Sequence, residues 1–272
     1  RQKAASVQPQ QSHTPTTHNT VTETSTTSKA LPSSFGRLHE DIEVPIKGIQ
    51  KQMVVSMTKA LGIPHFNYME EINMTATKEF RERLKEEAKE YNIKISYLPI
   101  ILKSISLGLL HYPGINATLS DDVSTVTHRA SHNIGVAMDT PRGLLVPVIK
   151  NVQDLNIFEI AQELGRLQQL GLQNKLGESE LSGGTITISN IGSIGGTYAS
   201  PVVLSPQVAI CALGRLQTLP RFDKDGNVLA ATIMNTSWAA DHRIIDGATM
   251  ARFSNKVKGY LENPISLVTM LK

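Results

Sequence analysis

The chain has a single cysteine, Cys211, which excludes an internal disulfide framework and fits a reducing compartment. It also lacks a long apolar run. The longest, YLPIILKSISLGLL, carries Lys103 and several serines and falls short of the roughly 20 residues that a membrane helix needs, so it reads as a buried helix. Neither sign of charge dominates, and a net +3 with scattered basic residues and only 5% aromatics is not the footprint of a nucleic-acid binder. A phosphate-bearing small ligand stays compatible with that balance. No G-x-S-x-G elbow is present, which weakens a covalent serine mechanism even though Ser, His and Asp all occur. With 40% hydrophobic residues in 272, what is there suffices to bury a sizeable core.

Residues 1–30 hold eight Thr, four Ser and four Gln with no Phe, Trp or Tyr, too little apolar surface to offset ordering entropy. Residues 1–45 are therefore expected to be a flexible Thr/Ser/Gln-rich linker and residues 46–272 the folded core. The first residue is Arg1, with neither a starting Met nor an Arg-rich amphipathic leader, and the chain is expected to be the tail end of a longer multidomain protein. Ile46, Ile49, Met53, Met57 and Ala60 mark one face of a helix ended by Gly62 and Pro64. HFNYMEEINM reads as a strand, and Phe80, Leu84, Ala88 and Tyr91 mark a second amphipathic helix. Segments VSTVTHRASHNIGVAMDT and GLLVPVI are β-rich, and Asn156 with Glu159 resembles a capping box opening a helix to about Leu170. TITIS, VAICALGRL and VLAATIMNTSWAA read as strands, DKDGN as a turn, and a helix is expected from about Gly247 to Leu261. The mixture predicts an α/β fold, a two-layer sandwich of mixed sheet and helices.

Three stretches carry chemistry. In SWAADHRIIDGATMARF, His242 stands four residues ahead of Asp246, where Asp246 also suits a helix N-cap. In TITISNIGSIGGTYASP a strand runs into a glycine-rich loop. Dinucleotide and P-loop motifs need that turn to open into a helix, whereas here Pro201 and Pro206 follow, so a nucleotide fold is disfavoured. What the loop displays is Ser189, Asn190 and Ser193, whose plain reading is turn chemistry. Cys211, in the apolar VAICALG, reads as inert core, and His128 and His132 of HRASH, about 13 Å apart on a strand, make a poor metal pair.

Taken together, DHRIIDGATMARF, SNIGSIGGTYASPVV and VAICALG resemble the catalytic core of the dihydrolipoamide acyltransferases of 2-oxo acid dehydrogenase complexes, which share the chloramphenicol acetyltransferase fold. The resemblance runs from about Pro45 to Lys272. Within the family, SNIGSIGGTYA, IPHFNYMEEI and ASHNIGVAMDT look most like the branched-chain members rather than the acetyl or succinyl ones. It implies transfer of a branched acyl group between dihydrolipoamide and coenzyme A, without an acyl-enzyme, with His242 as general base, Ser189 stabilising the oxyanion and Asp246 holding loop and histidine geometry. It implies coenzyme A contacts at Arg81, Ser96, Asp139, Gln168, Ser189, Asn190, Ser193 and Gly214. Arg215 and the PRG of 141–143 depart from what human-like members carry and bear on the ligand rim alone. The resemblance further implies trimers with sites between subunits, eight of them forming a 24-subunit cube in the mitochondrial matrix. The lipoyl group would arrive on an upstream lipoyl domain, and the decarboxylase and dihydrolipoamide dehydrogenase components would be engaged through other upstream domains. The alternatives are an acetyl- or succinyl-transferring relative, or a scaffold without activity.

Overall fold

A computed structural model describes residue 38 and residues 40–270. The chain divides into two units, residues 1–45 and 46–272. In the first unit, residues 38 and 40–45 form no helix or strand and are exposed, and the rest of the expected linker, residues 1–37 and 39, lies outside the described residues.

The second unit runs α1 (Gly48–Ala60), β1 (His65–Asn73), α2 (Thr75–Lys89), α3 (Tyr97–His111), β2 (Ala117–Leu119), β3 (Val126–His128), β4 (Ile134–Thr140), β5 (Gly143–Leu145), β6 (Val148–Ile149), α4 (Ile157–Leu172), α5 (Glu178–Leu181), β7 (Ile186–Asn190), β8 (Ala209–Leu213), β9 (Gln217–Phe222), β10 (Val228–Asp241) and α6 (Gly247–Glu262). The main sheet is ordered β1-β10-β8-β7-β4-β5, with β6 on β4 and β9 on β10. Strands β4, β7 and β8 are parallel and the other pairings antiparallel, so the sheet is mixed, as the sequence pattern predicts.

Pleating sorts the side chains into two faces. Val136, Ile188, Cys211 and Trp238 occupy one cross-strand row and sink into the core beneath the helices, where Trp238 meets the edge of Phe253 of α6 at 5.0 Å. The next row, Ala137, Ser189, Ala212 and Ser237, points the other way, and Ser237 Oγ accepts from the Ala199 amide at 3.2 Å. Helix α3 is buried almost all round, as its unbroken apolar run requires. Its Lys103 survives there because the carbonyls of Val152, Gln153 and Leu155 surround the ammonium at 2.7–3.4 Å. The capping box at Asn156 and Glu159 forms and opens α4. Cys211 is fully buried, and burial pushes its thiol well above the ordinary range.

Two expectations need correcting. Strand β9 was not among the expected strands; Pro220 in its middle is tolerated at the sheet margin, where its missing N–H costs little. Helix α1 is present, but of its apolar stripe only Ala60 is buried, while Met53 stays 50% exposed. Ile49 and Met57 of the stripe are half-buried, and among the described residues the rest of it is left open.

Candidate active site

Strand β7 ends at Ser189 and Asn190, and a single 3-10 turn, Ile191–Ser193, follows. The turn and the loop after it lie against the chain leaving β8, where the Arg215 amide bonds to the Gly196 carbonyl of that loop at 3.0 Å, while the Gly214 amide is held from the other side by the Asn235 carbonyl of β10 at 2.8 Å. The approach is so close that a Cβ on Gly192 would stand 2.3 Å from the Gly214 oxygen, and one on Gly214 would stand 2.4 Å from the Thr197 oxygen. Only glycine fits either position. Ser193 Oγ donates back to the Asn190 carbonyl at 3.0 Å, which is turn chemistry.

Beside this loop two adjoining hollows of about 460 and 430 Å³ share Leu98, Gln168, Asn190 and Ser193. The first reaches Ser189 and Asp139, and the second reaches Ser96, Tyr97, Gly214 and Arg215. One cleft thus collects Ser96, Asp139, Gln168, Ser189, Asn190, Ser193 and Gly214 from five parts of the chain. Arg81 does not line it. Its guanidinium sits 4.3 Å from the centre of the Tyr97 ring and pairs with Glu82 at 2.6 Å, and its buried Nε has no hydrogen-bond partner among the described residues. It backs the cleft wall through Tyr97 instead of lying on a solvated helix face.

His242 stands elsewhere, just past the end of β10. Its amide bonds to the Pro64 carbonyl at 2.9 Å, and its ring leans on Phe66 with centroids 4.9 Å apart. Gly247 leaves room for that Phe66 ring, since a Cβ there would lie 2.9 Å from it. His242 Nδ1 is 3.0 Å from the Ile245 carbonyl oxygen. A carbonyl only accepts, so in the neutral imidazole Nδ1 carries the proton and Nε2 presents its lone pair outward. Asp246 does not touch the ring. Its carboxylate caps α6, accepting from the Thr249 amide at 2.7 Å and hydroxyl at 2.9 Å, and these bonds hold its pKa below the usual carboxylate range. The ring is therefore oriented by the Ile245 carbonyl, a backbone group that no side-chain pattern advertises.

Sheet register fixes how far apart the two candidate catalytic groups are. Ser189 is level with Ala212 and Ser237, two strands across, and His242 lies five residues further along β10. At about 4.8 Å per strand and 3.3 Å per residue, their Cα atoms are separated by about 19 Å, beyond the combined reach of a serine and a histidine. One chain does not bring the base and the hydroxyl together. Among the described residues no cluster of three or more His, Cys, Asp or Glu is placed to hold a metal; His128 is exposed on β3, and His132 is buried with Nδ1 2.8 Å from Ser106 Oγ.

The lipoamide acyltransferase component of the mitochondrial branched-chain alpha-keto acid dehydrogenase complex of Caenorhabditis elegans is 54% identical over 88% of this chain. The chain spans about half the length of the curated relatives it matches, 53% in that case. Two solved structures, a dihydrolipoamide acetyltransferase of Azotobacter vinelandii and the cubic core of a pyruvate dehydrogenase multienzyme complex, each superpose with a TM-score of 0.81 at 31% identity, covering 88% of this chain and 98% of theirs. The first was studied for the catalytic role of a serine, a histidine and an asparagine, the last two four residues apart as His242 and Asp246 are here. Chloramphenicol acetyltransferase matches at TM-score 0.52 and 12% identity, a likeness of fold alone. The 2-oxoacid dehydrogenases acyltransferase (catalytic domain) family matches residues 38–269, and the chain belongs to that family.

Proposed function

We propose that this chain is the transferring core of a branched-chain 2-oxo acid dehydrogenase complex, moving isobutyryl, isovaleryl or 2-methylbutanoyl groups between dihydrolipoamide and coenzyme A. The observation that carries the reading is the His242 ring, whose Nδ1 is committed to the Ile245 carbonyl and whose Nε2 is left as a base. Nε2 takes the proton of the coenzyme A thiol, and the sulfur attacks the thioester carbonyl of the acyl-dihydrolipoamide. The oxyanion that forms accepts a hydrogen bond from Ser189. Its collapse breaks the bond to the lipoyl sulfur, which leaves as a thiol with the proton returned by His242. No bond to the protein forms.

Since Ser189 and His242 of one chain are about 19 Å apart by sheet register, the site is completed by a second subunit, with Ser189 from one and His242 from its neighbour. A trimer is the assembly that the family resemblance implies, and it is consistent with the largely exposed stripe of α1 and, through the cubic-core neighbour, with a 24-subunit cube. Ser96, Asp139, Gln168, Asn190, Ser193 and Gly214 line the cleft in which coenzyme A would lie, and Arg81 stiffens it from behind Tyr97. The acyl group would arrive on the lipoyl group of a separate domain, in the matrix of the mitochondrion, the organelle that the name of the Caenorhabditis elegans relative gives. In this reading residues 1–45 serve as a linker to that domain and residues 46–272 as the catalytic and assembly core.

Initial rates with dihydrolipoamide and isobutyryl-, isovaleryl-, acetyl- and succinyl-coenzyme A test the assignment. Branched donors should exceed acetyl by about 10-fold or more in kcat/KM, the worth of one or two buried methyl groups. Equal rates with acetyl-coenzyme A would contradict it.

A further inference from the structure

The residues on either side of His242 are joined to each other. Asp241 is 1% exposed at the last position of β10, with its amide bonded to the Val208 carbonyl at 2.9 Å. Its carboxylate is gripped by Arg243: Nε at 2.9 Å from Oδ1, Nη2 at 2.6 Å from Oδ2, and the Arg243 amide at 3.1 Å from Oδ1. A fork of that shape fixes direction as well as distance, which a lysine ammonium cannot do. The Asp241 carbonyl then accepts from the amides of both Ile244 and Ile245, at 3.0 and 2.9 Å. That turn aims the Ile245 carbonyl at His242 Nδ1. The path from guanidinium to imidazole is continuous: Arg243, the Asp241 carboxylate, the Asp241 turn, the Ile245 carbonyl, His242.

We propose that Asp241 and Arg243 are positioning residues for the transfer reaction, a clamp closed across His242 that sets the direction of Nε2 without touching substrate. The inference rests on the reading of His242 as the base. The plain alternative is an ion pair that only stabilises the turn, since a buried carboxylate whose partner is removed destabilises the fold by itself. The two differ in what an impaired protein does once folded. If the pair is a clamp, its loss tilts the imidazole and slows each turnover; if it is only a brace, the surviving sites turn over normally.

The test uses Arg243→Lys and Arg243→Ala in the assembled protein, with kcat expressed per coenzyme A-binding site by calorimetric titration. The clamp predicts that kcat falls by about 10-fold or more in both, as a misplaced base does, while KM for coenzyme A and for dihydrolipoamide stays within about twofold. Added guanidinium ion should restore Arg243→Ala several-fold and leave Arg243→Lys unchanged. Normal kcat per site in either variant, with only a lowered Tm, would overturn the clamp. If Arg243→Ala does not assemble, Arg243→Lys decides alone, because it keeps the charge and loses the fork. A second readout needs no turnover: the rate at which diethyl pyrocarbonate modifies His242, followed by mass spectrometry. Equal rates in wild type and Arg243→Lys would refute the clamp, whereas a wild type that modifies normally yet transfers no acyl group would refute the proposed reaction and leave the clamp to be judged by that rate.

Discussion

Gly192→Ala should damage catalysis out of proportion to the size of the change. The added methyl carbon would stand 2.3 Å from the Gly214 oxygen, 2.4 Å from its carbonyl carbon and 2.6 Å from the Arg215 nitrogen, all of them backbone. Non-bonded atoms settle at about 3.5 Å, so the Ser189 loop and the Gly214 segment must part by about 1 Å. Both segments line the cleft, and the hydroxyl of Ser189 and the amide of Asn190 move with the first. A 1 Å misplacement is worth about 10²-fold in rate, and overpacking a filled site costs about 1–3 kcal/mol. Gly192→Ala is therefore expected to lose about 10²-fold in kcat/KM and several degrees in Tm. Gly195→Ala is the control three residues away: a Cβ there meets nothing within 4 Å, and both quantities should stay near wild type. Initial rates and thermal melts of the two variants check this. Gly192→Ala that folds and keeps kcat/KM within about twofold of wild type would show that the loop contact does not set the site.

Asp246→Ala should lower Tm by removing the α6 cap, while Asp246→Asn should keep Tm and most of kcat because asparagine caps about as well; an Asn variant as impaired as the Ala variant would mean the charge itself matters. His132 gives a pH dependence. Burial first, and the nearby Lys103 second, push its pKa below the ordinary 6.5, so as pH falls the unfolded chain takes the proton before the folded one. Its contribution is present above pH 6.5 and lost as pH falls through the depressed folded value. Melts between pH 7 and 5 should show a flatter decline in His132→Gln than in wild type, and parallel curves would refute the assignment.

Much of the fold was legible because local signals agreed with the packing they had to satisfy. Asn156 and Glu159 cap α4 as their spacing predicts, and an apolar run with one lysine became a buried helix with its lysine held by three carbonyls. Where a signal depended on a partner it misled: β9, which needs only β10 beside it, was missed, and the stripe of α1 stays largely open among the described residues. The site divides in the same way. The Ser189 loop and the His242 segment stood out as stretches of sequence, whereas Asp139 and Gln168 carry no pattern of their own and were reached only through family resemblance. The Ile245 carbonyl and the stacking of Arg81 on Tyr97 are consequences of backbone path and tertiary contact. The Asp241 and Arg243 pair lay in plain view beside His242, but nothing in DHR says that the two outer residues face each other.

The central claim is that Ser189 and His242 act together across a subunit boundary, and mixing two inactive proteins tests it most directly. His242→Asn and Ser189→Ala should each lose about 10² to 10³-fold or more in kcat, as removal of a base or an oxyanion donor does. Co-assembled in equal amounts by co-expression or joint refolding, they form sites in which the serine comes from one chain and the histidine from its neighbour. In a head-to-tail ring with random order, about one interface in four joins an intact Ser189 to an intact His242. Recovery to roughly 25% of wild-type activity is expected across the whole preparation, and to roughly a third in the mixed trimers themselves, each of which holds one such interface in three, with mixing confirmed by mass. Mixed trimers as inactive as their parents would place both groups within one chain's site and contradict it.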